Sequence, residues 1–350
     1  MITQSAIKLV DRSNMFDVLM SFDKQVKEAV EIGSSIQLPR EYDNINKIII
    51  SGLGGSAIGG DLLRSYLNKE IKIPVSVNRN YFLPGFADEN TLVIISSYSG
   101  NTEESLSAYD DAKSKKCRIV CISSGGNLSI LASGDGFPVI KVPGGFQPRC
   151  ALGYSFIPML FLFQSLGFIS DRTIEINNLI DMISIKGNLY GNIDESENPA
   201  LKIAIHLQGK IPVIYSSNNL LDIVNLRWRC QMNENAKMLA FGNYLPEMNH
   251  NEIVGWEVNP DLLKNLGVIF LNDPGDFERI KRRQEVTKEL LKPFAGLIFE
   301  ISSDCSKKLE RIMDLVYLGD WVSFYLAILN KVDPTPIEKI NILKSKLTEL

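Results

Sequence analysis

The chain has 350 residues, a length that fits two domains, each able to bury its own core. Hydrophobic residues make up 45% and charged residues 22%, a globular composition that excludes collagen-like and disordered classes. With 37 basic and 41 acidic residues, the net charge is -4, so no basic excess is present to neutralise a phosphate backbone. We therefore expect no nucleic-acid partner.

The cysteines are odd in number, lie mostly in apolar contexts and include no C-x-x-C pair. This pattern predicts buried thiols in a reducing compartment, and hence a cytoplasmic protein. Residues 1–23 mix charged and apolar residues and lack the apolar core of a signal peptide. The five cysteines are Cys117, Cys121, Cys150, Cys230 and Cys305.

The stretch 151–170 is uncharged and about long enough to cross a bilayer. Gly153, Pro158 and Gly167 interrupt it, and no basic cluster flanks it. A helix buried between layers is the better interpretation, so no membrane partner is expected.

Histidine is scarce, since the sequence contains only His206 and His250. No Cys and His cluster has metal-ligand spacing, and we expect no metal site. His206 falls in the helical pattern 201–207 and is predicted to be packed or surface-exposed rather than functional.

Short apolar runs, glycine turns and helical patterns alternate along the N-terminal half. A predicted strand at 47–50 leads into a glycine-rich turn and a helix at 61–67. A second strand, at 91–96, leads into a hydroxyl-rich turn and a helix to about 115. Further strands are predicted at 73–77, 118–122 and 138–142. This alternation predicts parallel βαβ units in an α/β, doubly wound sheet.

The polar stretch 171–199, with Gly187 and Gly191 as helix breakers, is predicted to separate two domains, 1–170 and 171–350. The second half repeats the α/β pattern, so we expect two tandem αβα domains. The predicted elements of this half are strands at 211–216, 266–271 and 295–301, and helices at 220–233, 277–291, 306–329 and from 336 to about 350.

The motif Gly52-Leu-Gly-Gly-Ser-Ala57 lies between a predicted strand and a helix, as in dinucleotide-binding folds. Such folds also need an acidic residue after the next strand, where this chain has Asn78-Arg79-Asn80. Alternatively, backbone N–H groups and Ser56 bind an anion at the helix N-terminus, or the turn holds no ligand.

A second turn, 97–104, carries the hydroxyls of Ser97, Ser99 and Thr102. Alone, it could simply cap a helix, with Thr102 at the N-cap. Two such turns at the carboxyl ends of strands in one parallel sheet meet at a topological switch point. Their neutral donors can bind a phosphate monoester there.

Three further residues are candidates for chemistry. Arg149 lies in a glycine- and proline-rich loop, where an arginine is usually solvated but could stabilise an oxyanion from within a crevice. Glu234 ends a predicted helix, and His250 lies in a loop, 242–256, that is dense in amides and carboxylates.

Taken in order, the two glycine and hydroxyl turns, Pro-Arg149, Asn-Glu234-Asn and Asn-His250-Asn-Glu resemble the bifunctional phosphoglucose/phosphomannose isomerase family. Members consist of two tandem sugar isomerase (SIS) domains, and the resemblance covers nearly the whole chain. It implies isomerisation of glucose 6-phosphate and mannose 6-phosphate to fructose 6-phosphate, without a metal or other cofactor, in a homodimer.

The resemblance also implies residue roles. Arg149 would stabilise the enediolate, Glu234 would move the proton between C1 and C2, and His250 would assist ring opening from the other subunit. The sugar phosphate would be held by Gly55, Ser56, Ser97, Ser99 and Thr102.

A lysine of the family's C-terminal helix is matched best by Lys344, with Lys339 and Lys346 as close alternatives. Two other functions are weighed against the isomerase. A non-catalytic SIS module that binds sugar phosphates would need only the two loops. A nicotinamide-dependent dehydrogenase would account for 52–57 and little else.

Overall fold

A computed structural model describes residues 2–39 and 42–347. It divides into an N-terminal unit, Ser21–Met182, and a C-terminal unit formed by Met1–Met20 together with Ile183–Leu350. The predicted division at 170 differs from this mainly at the N-terminus, because residues 1–20 group with the second half of the chain.

The reason for this grouping is a hydrophobic contact of the N-terminal segment. Its two helices are α1 (Gln4–Val10) and α2 (Met15–Met20). On α2, the Phe16 ring lies 5.2 Å from Trp321 and 5.8 Å from Phe324, measured between ring centroids. The periodicity of a short N-terminal segment does not indicate which of two cores it joins.

The N-terminal unit contains five strands, β1 (Lys47–Ser51), β2 (Val75–Asn78), β3 (Thr91–Ser96), β4 (Arg118–Ser123) and β5 (Val139–Lys141). They form a parallel sheet with the order β2-β1-β3-β4-β5, which confirms the predicted doubly wound fold. The helices of this unit are α3 (Phe22–Ser34), α4 (Gly54–Leu67), α5 (Glu103–Ser114), α6 (Gly126–Gly134) and α7 (Leu152–Ser165), and α8 (Thr173–Tyr190) begins in it.

Runs of β-branched residues form the centre of this sheet, as expected for strands covered on both faces. Every residue of β3 is buried. Helix α7 packs on α3 and α4, and nearly all of it is buried, which confirms the buried helix predicted within 151–170. Pro158 lies inside α7 without ending it.

The C-terminal unit contains four strands, β6 (Ile211–Ser217), β7 (Phe241–Leu245), β8 (Leu266–Asn272) and β9 (Leu297–Ser302). They form a parallel sheet with the order β7-β6-β8-β9, the same topology as β2-β1-β3-β4. The helices of this unit are α9 (Pro199–Leu207), α10 (Asp222–Glu234), α11 (Pro260–Leu263), α12 (Glu278–Leu291), α13 (Lys308–Leu329) and α14 (Glu338–Leu347), and it has 3-10 turns at Glu247–His250 and Glu252–Glu257. A further 3-10 turn, Pro148–Cys150, belongs to the N-terminal unit.

Helix α13 is long and apolar enough to cross a membrane by length and composition, but 94% of its apolar window is buried within the protein. It packs against α9 and α10 as the central helix of its unit. Its two buried acidic residues are paired, Asp320 with Arg227 and Asp314 with Lys186. These contacts are those of a core helix.

Two elements of the structure differ from the sequence prediction. Helix α8 continues through Gly187, which was expected to break it. A Cβ there would lie 2.9 Å from the Tyr317 hydroxyl, so the glycine allows close packing rather than ending the helix. Strand β7 occupies the start of the stretch expected to be a loop. The final helix is described to Leu347, and its predicted end at 350 lies outside the described residues.

All five cysteines fall within the described ranges as thiols. Cys117 and Cys121 are buried, as predicted, and the other three are half-buried. Burial raises the pKa of Cys117 to about 11 and that of Cys121 to about 12, so both stay protonated and unreactive at neutral pH.

Candidate functional site

The two predicted phosphate loops leave adjacent parallel strands. Strands β1 and β3 pair directly, with Ser51 opposite Ile95. The chain proceeds from β1 outward to β2 and from β3 outward to β4, in opposite directions along the sheet. Their carboxyl ends therefore form a topological switch point, where ligands bind in open α/β sheets.

Backbone contacts bring these loops and the Arg149 turn together. A Cβ on Gly52 would lie 2.6 Å from the Ser96 carbonyl oxygen. A Cβ on Gly55 would lie 2.5 Å from the Pro148 carbonyl oxygen and 3.1 Å from the Arg149 Cα. Only glycine permits these approaches, so the glycine motif is explained by contact among three segments.

The hydroxyl side chains make short-range bonds within this cluster. Ser97 Oγ donates to Thr102 Oγ1 at 3.1 Å, and Ser99 Oγ accepts from the Asn101 N–H at 3.3 Å. Ser56 and Ser97 are buried, whereas Ser99 is exposed. Thr102 is the N-cap of α5 as predicted, but its hydroxyl bonds to Ser97 rather than to the helix.

The cluster has the chemistry of an anion site. The first turns of α4 and α5 present backbone N–H groups at the same edge of the sheet, where the helix dipoles favour negative charge. Arg149, in the 3-10 turn Pro148–Cys150, is only 3% exposed and adds a positive charge. The binding of phosphate here stays a prediction.

The end of β2 does not fit a dinucleotide. Asn78 donates its amide to Ser51 Oγ at 3.1 Å and to the Asn80 carbonyl at 3.0 Å, and Arg79 pairs with Asp61. An amide and a guanidinium thus stand where a carboxylate would hold a ribose. This arrangement disfavours the dehydrogenase hypothesis.

In the C-terminal unit, Glu234 is half-buried at the carboxyl end of α10. It lines a cavity of about 810 Å³ together with Lys237 and Lys339. The Lys237 ammonium donates to the Glu234 carbonyl, and to those of Pro334 and Pro336 at 3.2 and 2.6 Å. One lysine thus joins the end of α10 to the segment that precedes α14.

Helix α10 is also held by a buried ion pair. Arg227 donates to both carboxylate oxygens of Asp320, at 3.0 and 2.7 Å, and Gln231 donates to the same carboxylate at 2.8 Å. Burial raises the pKa of Asp320 against the opposing effect of Arg227. The pair anchors α10 about two turns before Glu234. The side chain of Glu234 therefore extends from a helix that is held rigidly in place.

His250 is exposed at the end of its 3-10 turn, but its neighbours are held in place. Asn249 donates to Thr287 Oγ1 at 2.8 Å. The Glu252 carboxylate accepts from the Tyr215 hydroxyl at 2.5 Å and the Asn243 amide at 2.6 Å. The backbone is therefore well fixed while the imidazole is accessible.

His206 lies exposed on α9, as predicted, with Nδ1 2.8 Å from the Lys202 carbonyl oxygen. The three candidate lysines are exposed on α14. Lys339 and Lys346, seven residues apart, share a face of this helix, and Lys344 lies about 140° away from Lys339 around the axis. Lys339 is the one that faces the cavity with Glu234.

The carboxyl edge of the C-terminal sheet, which corresponds to the predicted phosphate site of the N-terminal sheet, is occupied by charged side chains of the protein. After β8, Asp273 accepts from Arg311 Nε at 2.8 Å and from the Gly275 N–H at 2.6 Å. A carboxylate thus takes the place that an anion has in such a loop. Among the described residues, the N-terminal unit alone carries the glycine and hydroxyl pair of turns.

Across residues 2–39 and 42–347, one cluster of acidic and thiol groups has the spacing of a metal site, formed by Asp304, Cys305 and Asp314. The Lys186 ammonium lies 2.6 Å from Asp304 and 3.4 Å from Asp314. This ammonium already pairs with both carboxylates and occupies the position that a cation would need, which argues against a cation there.

Comparison with known proteins identifies the family. A model of the bacterial phospho-glucose isomerase C-terminal SIS domain matches residues 196–347, and the SIS domain model matches residues 41–164. The bifunctional phosphoglucose/phosphomannose isomerase of Caldicellulosiruptor bescii is 44% identical over 96% of this chain and 99% of its own. This chain belongs to the bifunctional phosphoglucose/phosphomannose isomerase family. The resemblance predicted from five motifs is confirmed.

Other relatives extend this family assignment. The bifunctional phosphoglucose/phosphomannose isomerase of Aquifex aeolicus is 36% identical over 86% of this chain and 90% of its own. The crystal structure of a hypothetical protein from Thermus thermophilus is 15% identical, with a TM-score of 0.74 over 99% of this chain and 92% of its own. That likeness supports the fold.

The structure thus brings Arg149 against the predicted phosphate loops in one unit and places Lys339 on the same cavity as Glu234 in the other. Sequence reasoning missed the bonds of Lys237, since a lysine after a helix is typical of any surface. It also gave no role to Tyr98, which lies between two predicted phosphate ligands. The roles of the predicted site residues stay predictions.

We predict that Gly55→Ala weakens the binding of inorganic phosphate about tenfold, because its Cβ would force Pro148 and Arg149 away from the loop. Titration calorimetry measures the effect. Gly144→Ala is the control, since its Cβ would meet nothing closer than Ser124 at 3.8 Å. Unchanged phosphate affinity in Gly55→Ala would contradict the assignment of this loop.

Proposed function

We infer that this chain is an isomerase that interconverts glucose 6-phosphate and mannose 6-phosphate with fructose 6-phosphate. The observation that carries this inference is the match to a bifunctional phosphoglucose/phosphomannose isomerase over 96% of this chain and 99% of that protein. The loops after β1 and β3, and the carboxylate at the end of α10, supply the groups that the reaction needs.

Converting an aldose to a ketose requires removal of a weakly acidic proton beside a carbonyl and its return to the neighbouring carbon. One carboxylate can perform both transfers, and we assign this role to Glu234. The enediolate between the two steps carries negative charge on oxygen. We assign its stabilisation to the buried guanidinium of Arg149.

The phosphate is remote from C1 and C2, so its binding energy positions the sugar without taking part in bond making. Neutral donors suit this role, because they bind the dianion without adding a net charge near the reacting carbons. Gly55, Ser56, Ser97, Ser99 and Thr102 are the proposed donors.

Both aldose epimers lose the C2 proton to give the same enediolate. One base can therefore serve both, and the face of C2 that is reprotonated decides which epimer forms. The isomerisation is internally redox-balanced, so it needs no nicotinamide, and because the enediolate charge is assigned to Arg149, no metal is invoked. A non-catalytic SIS module is not favoured, because the full-length relatives are named as isomerases.

We further propose a homodimer in which His250 assists ring opening in the partner's site. Its imidazole is exposed, and α14 has no buried residue and exposes Ile342 and Leu343 at 56% and 58%. The reduced cysteines support a cytoplasmic location. Lys344 is the proposed lysine from the family pattern, and Lys339 is the alternative that the cavity favours.

We expect Glu234→Gln to abolish turnover of fructose 6-phosphate while its binding, measured by calorimetry, persists, because the amide keeps the shape but cannot accept the proton. The assay contains a chelator. Glu338→Gln, which alters another carboxylate of the same cavity, is the matched control and should turn over normally. Normal turnover by Glu234→Gln would exclude it as the base.

Subunit complementation tests the shared site. Glu234→Gln and His250→Ala homodimers are each expected to be nearly inactive. After mixing and subunit exchange, half the dimers are mixed, and each has one site with both native groups, so activity should recover to about a quarter of the wild type. The same mixture without exchange is the control. No recovery after verified exchange would place both groups in one subunit.

A further inference from the structure

Tyr98 lies between Ser97 and Ser99 and connects the phosphate loops to the segment that precedes Arg149. The backbone of Tyr98 bonds to the segments that follow β1 and β4. The Tyr98 N–H donates to Ser56 Oγ at 3.2 Å, in the first turn of α4 that follows β1. Its carbonyl accepts from Ser124 Oγ at 2.7 Å and from the Ser124 N–H at 3.0 Å, after β4.

The side chain of Tyr98 bonds to the segment that precedes Arg149. Its hydroxyl donates to the Pro143 carbonyl at 2.8 Å and accepts from the Phe146 N–H at 3.0 Å. These bonds fix both ends of the turn 143–146, three residues before Arg149. Burial raises the pKa of Tyr98, which keeps the hydroxyl protonated and able to donate.

The space between these segments is small. A cavity of about 10 Å³, lined by Ser56, Tyr98 and Pro148 among others, is at most large enough for one water molecule. A shift of the 143–146 turn would thus be passed on to Pro148, whose carbonyl already meets Gly55. Tyr98 makes direct hydrogen bonds to both sides of this packing.

We propose that Tyr98 is a positioning residue that sets the Arg149 guanidinium relative to the bound phosphate. The proposal rests on the proposed function, because it takes Arg149 as the group that stabilises the enediolate. One phenol hydroxyl, which is not among the proposed phosphate donors, thereby determines the position of the Arg149 guanidinium.

Loss of the Tyr98 hydroxyl is expected to lower kcat and to leave phosphate binding nearly unchanged. A displacement of about 1 Å at a reacting centre can cost about 100-fold in rate, while the phosphate donors stay in place. Tyr98→Phe keeps the ring and both backbone bonds and removes only the hydroxyl. We therefore expect a fall in kcat of about tenfold or more, with KM for fructose 6-phosphate and affinity for inorganic phosphate within about twofold of wild type.

The experiment compares wild type, Tyr98→Phe and Tyr109→Phe. Tyr109 is a buried tyrosine of the same unit whose hydroxyl donates to Asp135 at 2.6 Å, away from the loops, so its variant controls for the loss of a buried phenol. Each variant is measured for kcat, KM, phosphate affinity and thermal stability. An aldonic acid phosphate, whose carboxylate resembles the enediolate, is used to compare affinity for a reaction-like state.

Support requires that Tyr98→Phe lose kcat and affinity for the aldonate phosphate, that phosphate affinity persist, and that Tyr109→Phe retain activity. An unchanged kcat, or equal losses of kcat and phosphate affinity, would overturn the proposal. If the wild type does not isomerise fructose 6-phosphate, the proposed function itself fails, which is a different result.

A double substitution then tests the route of the effect. If Tyr98 acts through Arg149, Tyr98→Phe should lower kcat little or not at all in an Arg149→Ala background. Additive losses would instead assign Tyr98 a role independent of Arg149 and overturn the positioning account.

Discussion

The close approach of three backbone segments at the carboxyl edge of the N-terminal sheet is the constraint on which the proposed site depends. A Cβ on Gly52 or Gly55 would lie 2.6 or 2.5 Å from a carbonyl oxygen of a neighbouring segment, and a Cβ on Gly100 would lie 1.8 Å from the Gly125 oxygen. Glycine is therefore required by packing before any ligand is considered. The same contacts leave N–H groups and hydroxyls at one edge and bring Arg149 beside them.

Two units of the same topology carry different chemistry. The N-terminal unit has neutral donors at its switch point, whereas the C-terminal unit fills the equivalent loop with the Asp273 and Arg311 pair. The candidate base of that unit lies elsewhere, at the end of α10, where Asp320 and Lys237 fix the helix and its exit. Repetition of a fold thus need not repeat a site.

Much of the fold could be predicted from the sequence, because β-branched runs followed by glycine turns define parallel βαβ units locally. The contacts of Gly187 with Tyr317 and of Phe16 with Trp321 are long-range, so the course of α8 and the grouping of residues 1–20 could not. The candidate residues were found from motif order. The connection made by the Tyr98 hydroxyl depends on a turn 45 residues away, which no local sequence pattern indicates.

The most direct test of the central claim, that a carboxylate moves a proton on a phosphate-anchored sugar, is NMR analysis of products formed from fructose 6-phosphate in deuterated water with a chelator present. Proton transfer through an enediolate predicts that deuterium accumulates at C2 of both glucose 6-phosphate and mannose 6-phosphate over many interconversions at equilibrium, because a proton held on the carboxylate exchanges with solvent in a fraction of turnovers. Products that still carry no solvent deuterium at C2 after many such interconversions would indicate a hydride shift and contradict the account.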